Sequence, residues 1–255
     1  MNQRTLGQAA LGLAFFFFGM TPSHAGSFTV NPVRVTLSPG LAVAAITVSN
    51  SGSDSSVIQL EASRWTQQGG KDVLAPTNDL LATPPIFTLA PGASQIVRVG
   101  LRRPSDTQHE LTYRLVLREV PPPQPISQGL RVALAISMPV FVVSAHPSFS
   151  NLQWQAVRLA DGRIHLQATN TGGAHVQIGA IELSSLDGAS PVVRESVATY
   201  VLPGNTRDWT FKSTADVPVG STLRLLASTD SGDVQARITL GESGSQAPTA
   251  SVSRP

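Results

Sequence analysis

The chain of 255 residues contains no cysteine. Disulfide staples and thiolate metal ligands are therefore excluded, and stability has to come from packed apolar cores. Charge is sparse, with 18 basic against 16 acidic residues for a net +2. The basic residues are scattered rather than clustered, so no nucleic-acid partner is expected. Aromatic residues make up 5% of the chain, and its three tryptophans, Trp65, Trp154 and Trp209, sit within strand-like segments where core roles are expected. Long apolar runs are missing except for Leu11–Met20, which is too short to span a bilayer. With Arg4 before it and Pro22 and Ser23-His24-Ala25 after it, that run reads as a signal peptide over residues 1–25, and the mature chain is expected to start near Gly26. No other segment suits membrane insertion.

Catalytic patterns are absent too. There is no G-x-S-x-G elbow, phosphate-cradling loop or dinucleotide fingerprint, so neither enzyme activity nor a cofactor is expected. Of the histidines 24, 109, 146, 165 and 175, only His165 and His175 fall on strands predicted to be adjacent. They have no acidic partner at ligand spacing, so no metal site is expected.

What remains after residue 26 is a succession of short alternating runs rich in Val, Ile, Leu and Thr, separated by turn residues such as Pro91-Gly92, Asp161-Gly162 and Pro203-Gly204. This pattern predicts an all-β fold. Asp161-Gly162 is the best hairpin signal, and a turn of that type asks for a positive φ at both central positions. Helical periodicity is missing beyond the signal segment, although a single turn could hide in 76–81. The runs form two sets joined at Ser144-Ala145-His146-Pro147, each near the roughly 100-residue size of an immunoglobulin-like sandwich. The expected organisation is an N-terminal domain over 26–144, a C-terminal domain over 145–241, and a polar tail over 242–255 that is disordered.

The segment from Leu130 to Val143 carries the functional signal. Its even-numbered residues Leu130, Val132, Leu134, Ile136, Met138, Val140 and Val142 are large and apolar, while Ala133, Ala135 and Ser137 on the other face are small. One such face would fill the core of an ordinary sandwich. The run is far longer than the usual strand of about five or six residues, and Pro139 cannot donate to a ladder, which places it on a sheet edge. A long apolar edge is an aggregation hazard unless it pairs with a partner. The preceding run puts Leu111, Tyr113, Leu115 and Leu117 on one side, with Arg114 and Arg118 on the other. It ends in Arg118-Glu119-Val120-Pro121-Pro122-Pro123, and an irregular loop follows before the long strand.

Tyr113-Arg-Leu-Val-Leu-Arg-Glu-Val-Pro-Pro, the proline-rich loop and the alternating strand together resemble the PapD-like periplasmic pilus chaperones. The motifs Asn31-Pro32-Val33-Arg34-Val35, Ala62-Ser63-Arg64-Trp65-Thr66-Gln67, Leu74-Ala75-Pro76-Thr77, Pro84-Pro85-Ile86-Phe87 and Leu89-Ala90-Pro91-Gly92 point to the archaic, Csu-like branch. The resemblance implies two immunoglobulin-like domains in a boomerang arrangement, a periplasmic location, pilus or fimbrial subunits as partners and an outer-membrane usher as receiver. It implies that Leu130, Val132, Leu134, Ile136 and Met138 enter a subunit groove left open by a missing strand. It matches Arg34 to a basic residue anchoring the subunit's terminal carboxylate. The strand lysine of the better-known branch has no counterpart in Ser137-Met138-Pro139, which leaves Arg114, and after it Arg118, to supply the second charge. Glu119 matches a position in an interdomain charge network. Whether the free protein dimerises to cover its edge stays open. Two rival readings are a structural pilin or adhesin, which would show one incomplete domain, and a secreted immunoglobulin-like binding module, which would show exposed aromatics.

Overall fold

A computed structural model describes residues 28–121, 132–186, 191–242 and 250–251. The expected signal peptide, the proline-rich loop after Pro121 and Leu130 lie outside the described residues. All described regular structure is β. The segment 76–81, where a helical turn was conceivable, instead leads from one strand into another.

The first domain carries β1 (Phe28–Asn31), β2 (Val35–Leu37), β3 (Val43–Asn50), β4 (Ser56–Gln68), β5 (Lys71–Pro76), β6 (Leu80–Thr83), β7 (Ile86–Leu89), β8 (Ser94–Leu101), β9 (Leu111–Val120) and β10 (Ala135–Val142). One sheet runs β1-β3-β8-β6; the other runs β2-β10-β9-β4-β5, with β7 against β4. The chain changes sheets between β1 and β2, at Pro32, Val33 and Arg34. That crossover lets Val35 pair in parallel with Val140 at the end of β10. Alternation does the rest: Ile46, Val48, Ile58, Val97, Val99, Leu115 and Leu117 all point inward and are fully buried between the layers.

The second domain carries β11 (Leu152–Arg158), β12 (Ile164–Asn170), β13 (Val176–Ser185), β14 (Val193–Val201), β15 (Thr206–Phe211), β16 (Thr222–Thr229), β17 (Val234–Glu242) and β18 (Ala250–Ser251). Their order is β14-β13-β16-β17-β11-β12-β15, with β18 on β11. Here the last long strand changes layers: β17 pairs antiparallel with β16 up to Thr239 and then parallel with β11 from Leu240. The pairing of Ala250–Ser251 with Gln153 and Trp154 departs from the disordered tail expected there, because β11 leaves an edge free where β17 has not yet reached it.

Both domains use the same turn lock. Asn50 and Asn170 are buried at the ends of β3 and β12. Each accepts through Oδ1 from the glycine amide two residues on, Gly52 or Gly172, and donates through Nδ2 to a buried carbonyl, Leu89 or Val201. Such local side-chain bonds stop a strand by offering the backbone another partner. The Asp161-Gly162 hairpin does join β11 to β12, but only Gly162 has a positive φ, at 82°. Leu159 N donates to Arg163 O, so the loop holds three residues with glycine at the left-handed position, which spares Asp161 that conformation.

Candidate functional site: an open strand edge beside a cleft of arginines

One face of β10 leaves the core by degrees. Val142, Val140 and Met138 are buried, Met138 at 1% exposure, while Ile136 and Leu134 are half-buried against the same core and Val132 is 48% exposed. Met138, expected with the partner-facing set, thus packs inside its own domain, because β9 and the opposite sheet still cover the strand at that level. Among the described residues, regular pairing starts at Ala135, with Glu119 N donating to Leu134 O one residue earlier.

The edge is open over the same stretch. On one side β9 pairs with β10 from Ala135 to Val142, whereas on the other β2 reaches only Val140–Val142. Because the Leu134 carbonyl accepts from β9, alternate residues Ala135 and Ser137 aim their N–H and C=O groups away from it. Among the described residues nothing pairs with them. Pro139 offers a carbonyl alone, where the missing N–H breaks no ladder.

The register explains which arginines meet. Pro139 lies opposite Arg114 of β9, and Arg114 lies opposite Ser63 of β4. Arg34 precedes Val35, the partner of Val140, so it enters the same row from the other side of Pro139. Arg34 and Arg114 therefore flank a proline at the position where a strand lysine is missing. Arg118 is four residues along β9, about 13 Å away at strand spacing, and it pairs with Glu61 at 3.8 Å. The structure gathers Arg34 and Arg114 and leaves Arg118 out.

The domain junction holds both. The Arg114 guanidinium lies 3.8 Å from the centre of the Trp65 ring and 5.9 Å from that of Tyr200. Burial pulls it below the usual arginine value, with Asp72 opposing. Arg34 Nη1 donates to Asp230 Oδ2 at 3.1 Å. Trp65, Phe141 and Leu202 form a separate buried cluster with Tyr200 against it, so Trp65 packs in the interdomain cleft rather than in a sandwich core. Trp154 is in the second core with Trp209 against it. The β4–β5 hairpin locks the junction from one end: Gln67 donates to Tyr200 O and accepts from Leu202 N, and Arg207 bonds Gly70 O and Asp72.

Glu119 is not at this junction. It accepts from Ser56 Oγ at 3.0 Å and from Leu134 N at 3.2 Å, both in its own domain, because it sits at the far end of β9. Glu110, at the other end of β9, does bridge the domains, accepting from His175 Nδ1 at 2.6 Å. His165 bonds Thr210, and β12 is not a neighbour of β13, so the two histidines are not on adjacent strands. Among the described residues no group of three metal-ligating side chains forms. No helix of the described residues is long and apolar enough to cross a membrane. Sequence reading placed every candidate site residue in the first domain and missed Tyr200, Asp230 and His175, whose only local signals were a strand, a turn and a lone histidine.

Comparison with known proteins places the fold. Residues 27–147 match the family described as pili and flagellar-assembly chaperone, PapD N-terminal domain. Curated protein sequences give no significant match. Among solved structures, the CsuC-CsuE chaperone-tip adhesion subunit pre-assembly complex from archaic chaperone-usher Csu pili of Acinetobacter baumannii aligns at 17% identity and a TM-score of 0.61, covering 85% of this chain and 99% of the matched one. The Salmonella enterica SafA pilin in complex with the SafB chaperone aligns at 17% identity and 0.58, covering 86% and 99%. The E. coli chaperone DraB aligns at 18% and 0.57, covering 85% and 97%. Residues 27–147 thus match the PapD N-terminal domain family of pilus-assembly chaperones, and the chain as a whole has the PapD-like fold of two immunoglobulin-like domains.

Proposed function

We propose that the protein is a periplasmic chaperone of a chaperone-usher pathway, which binds pilus subunits by lending them the edge of β10 and passes them to an outer-membrane usher. The observation that carries this reading is the coincidence, over residues 132–137, of an apolar face emerging from its own core with backbone groups that, on the side away from β9, meet no strand among the described residues. An incoming subunit strand would pair with Ala135 and Ser137, while Leu130, Val132, Leu134 and Ile136 fill its open groove. Each such side chain fully buried contributes about 1.5 to 3 kcal/mol before association costs. Arg34 and Arg114 then hold the subunit's terminal carboxylate and fix the register of the pairing. Two of the aligned structures are complexes of a chaperone with a pilin or tip subunit, which supports this class of partner. Self-association of the free protein through the same edge is the other use of an unpaired strand.

The test is periplasmic co-expression with the subunit gene expected beside it, followed by affinity capture. A soluble one-to-one complex formed by the wild type and lost in Leu134→Arg supports strand donation. No capture or protection of any such subunit by the wild type overturns it.

A further inference from the structure

The two arginines belong to the first domain, but what fixes them is a residue of the second. Tyr200 is the penultimate residue of β14, and its position is over-determined. Its carbonyl accepts from Gln67 Nε2 at 2.9 Å and from Arg207 Nε at 3.4 Å. Its ring meets Trp65 edge-on, with centroids 5.4 Å apart and planes at 84°, and lies 5.6 Å from Phe141. The ring is thus held by residues of both domains, with the Arg114 guanidinium 5.9 Å from its centre and Arg34 near enough to act on the phenol electrostatically. Burial raises its pKa, so it keeps its proton at neutral pH. The phenol has one O–H to give, and among the described residues no acceptor takes it. Arg34 is 43% exposed and Arg114 has no carboxylate ion pair among the described residues. Three donors thus converge on one place with capacity left.

We infer that Tyr200 is a third ligand for the carboxylate of a bound subunit, donating its O–H to that group beside Arg34 and Arg114, so that the second domain takes part in reading the subunit's end. The inference rests on the carboxylate anchoring proposed above. It also explains how two arginines suffice where Pro139 displaces a lysine, since a neutral donor adds a hydrogen bond to the carboxylate without adding a like charge.

The experiment compares a synthetic peptide covering a subunit's last strand as free acid and as C-terminal amide, against wild type and Tyr200→Phe. The phenylalanine keeps the ring that packs on Trp65, and an unchanged thermal midpoint verifies the fold. The expected result is that the wild type prefers the acid and that Tyr200→Phe loses about tenfold of this preference with amide binding unchanged. A packing role would weaken acid and amide equally, and that outcome overturns the inference. Full acid preference in Tyr200→Phe overturns it while leaving the arginine anchor standing. No acid preference in the wild type removes both.

Discussion

His175 of the second domain stacks on Phe141 of the first, with ring centroids 3.5 Å apart and planes inclined by 5°. Its Nδ1 donates to Glu110, and its Nε2 lies 3.8 Å from Asp230, the partner of Arg34. Glu110 N also donates to Gly173 O at 2.8 Å. Backbone comes so close here that a Cβ on Gly173 would lie 2.5 Å from Gln108 O. The junction is thus a packed, hydrogen-bonded contact rather than a hinge of exposed linker.

His175→Ala removes the stack and the charge-assisted bond together, with a combined loss of about 1.5 to 4 kcal/mol of domain coupling. Differential scanning calorimetry should show the wild type melting in one transition and the variant in two. A single transition at an unchanged midpoint would refute the coupling.

The all-β class, the strand β9 and the apolar face of β10 were legible because each is written in period-two alternation. Position along that face was not: Met138 and Val132 have the same parity, and only the extent of the covering strands separates core from edge. Tertiary neighbours were the other blind spot. Asp230 lies beside a turn and Tyr200 within a strand, and nothing in either segment announces an arginine from the other domain. Glu119 was misplaced for the converse reason, as a charged residue beside a proline loop looks the same at either end of a domain.

The burial gradient along β10 makes opposite predictions for two like residues. Met138→Ala should destabilise the first domain by about 2 to 5 kcal/mol, the usual loss for a buried methionine. Val132→Ala should change stability by less than about 0.5 kcal/mol. Urea unfolding measures both. Subunit capture should fall in Val132→Asp, a variant that keeps the wild-type unfolding midpoint. Equal destabilisation by the two alanines would mean that the strand does not emerge from the core.

Gln67 is buried between the domains and is satisfied by Tyr200 O, Leu202 N and Asp72. Gln67→Leu fills the space but strands the Leu202 amide, a loss of about 1 to 3 kcal/mol. Hydrogen exchange at that amide should accelerate while amides of Leu115 and Leu117 in the first core stay protected. Uniform acceleration in both places would instead indicate global unfolding.

Tyr113 is buried at the core end of β9, and its hydroxyl donates to Asp79 Oδ2 at 3.2 Å. Burial first, and the Asp79 carboxylate second, push its pKa up to about 12 from the ordinary 10.0. The folded protein therefore holds this proton more tightly than the unfolded chain. Its contribution to stability is complete below pH 10 and is lost as the pH rises towards 12. Tyr113→Phe cannot titrate. It should be less stable than wild type by about 1 kcal/mol at neutral pH, and the gap should close over that alkaline window. Chemical unfolding at stepped pH measures the difference, and a gap that stays constant up to pH 12 would show that the phenol titrates alike in both states.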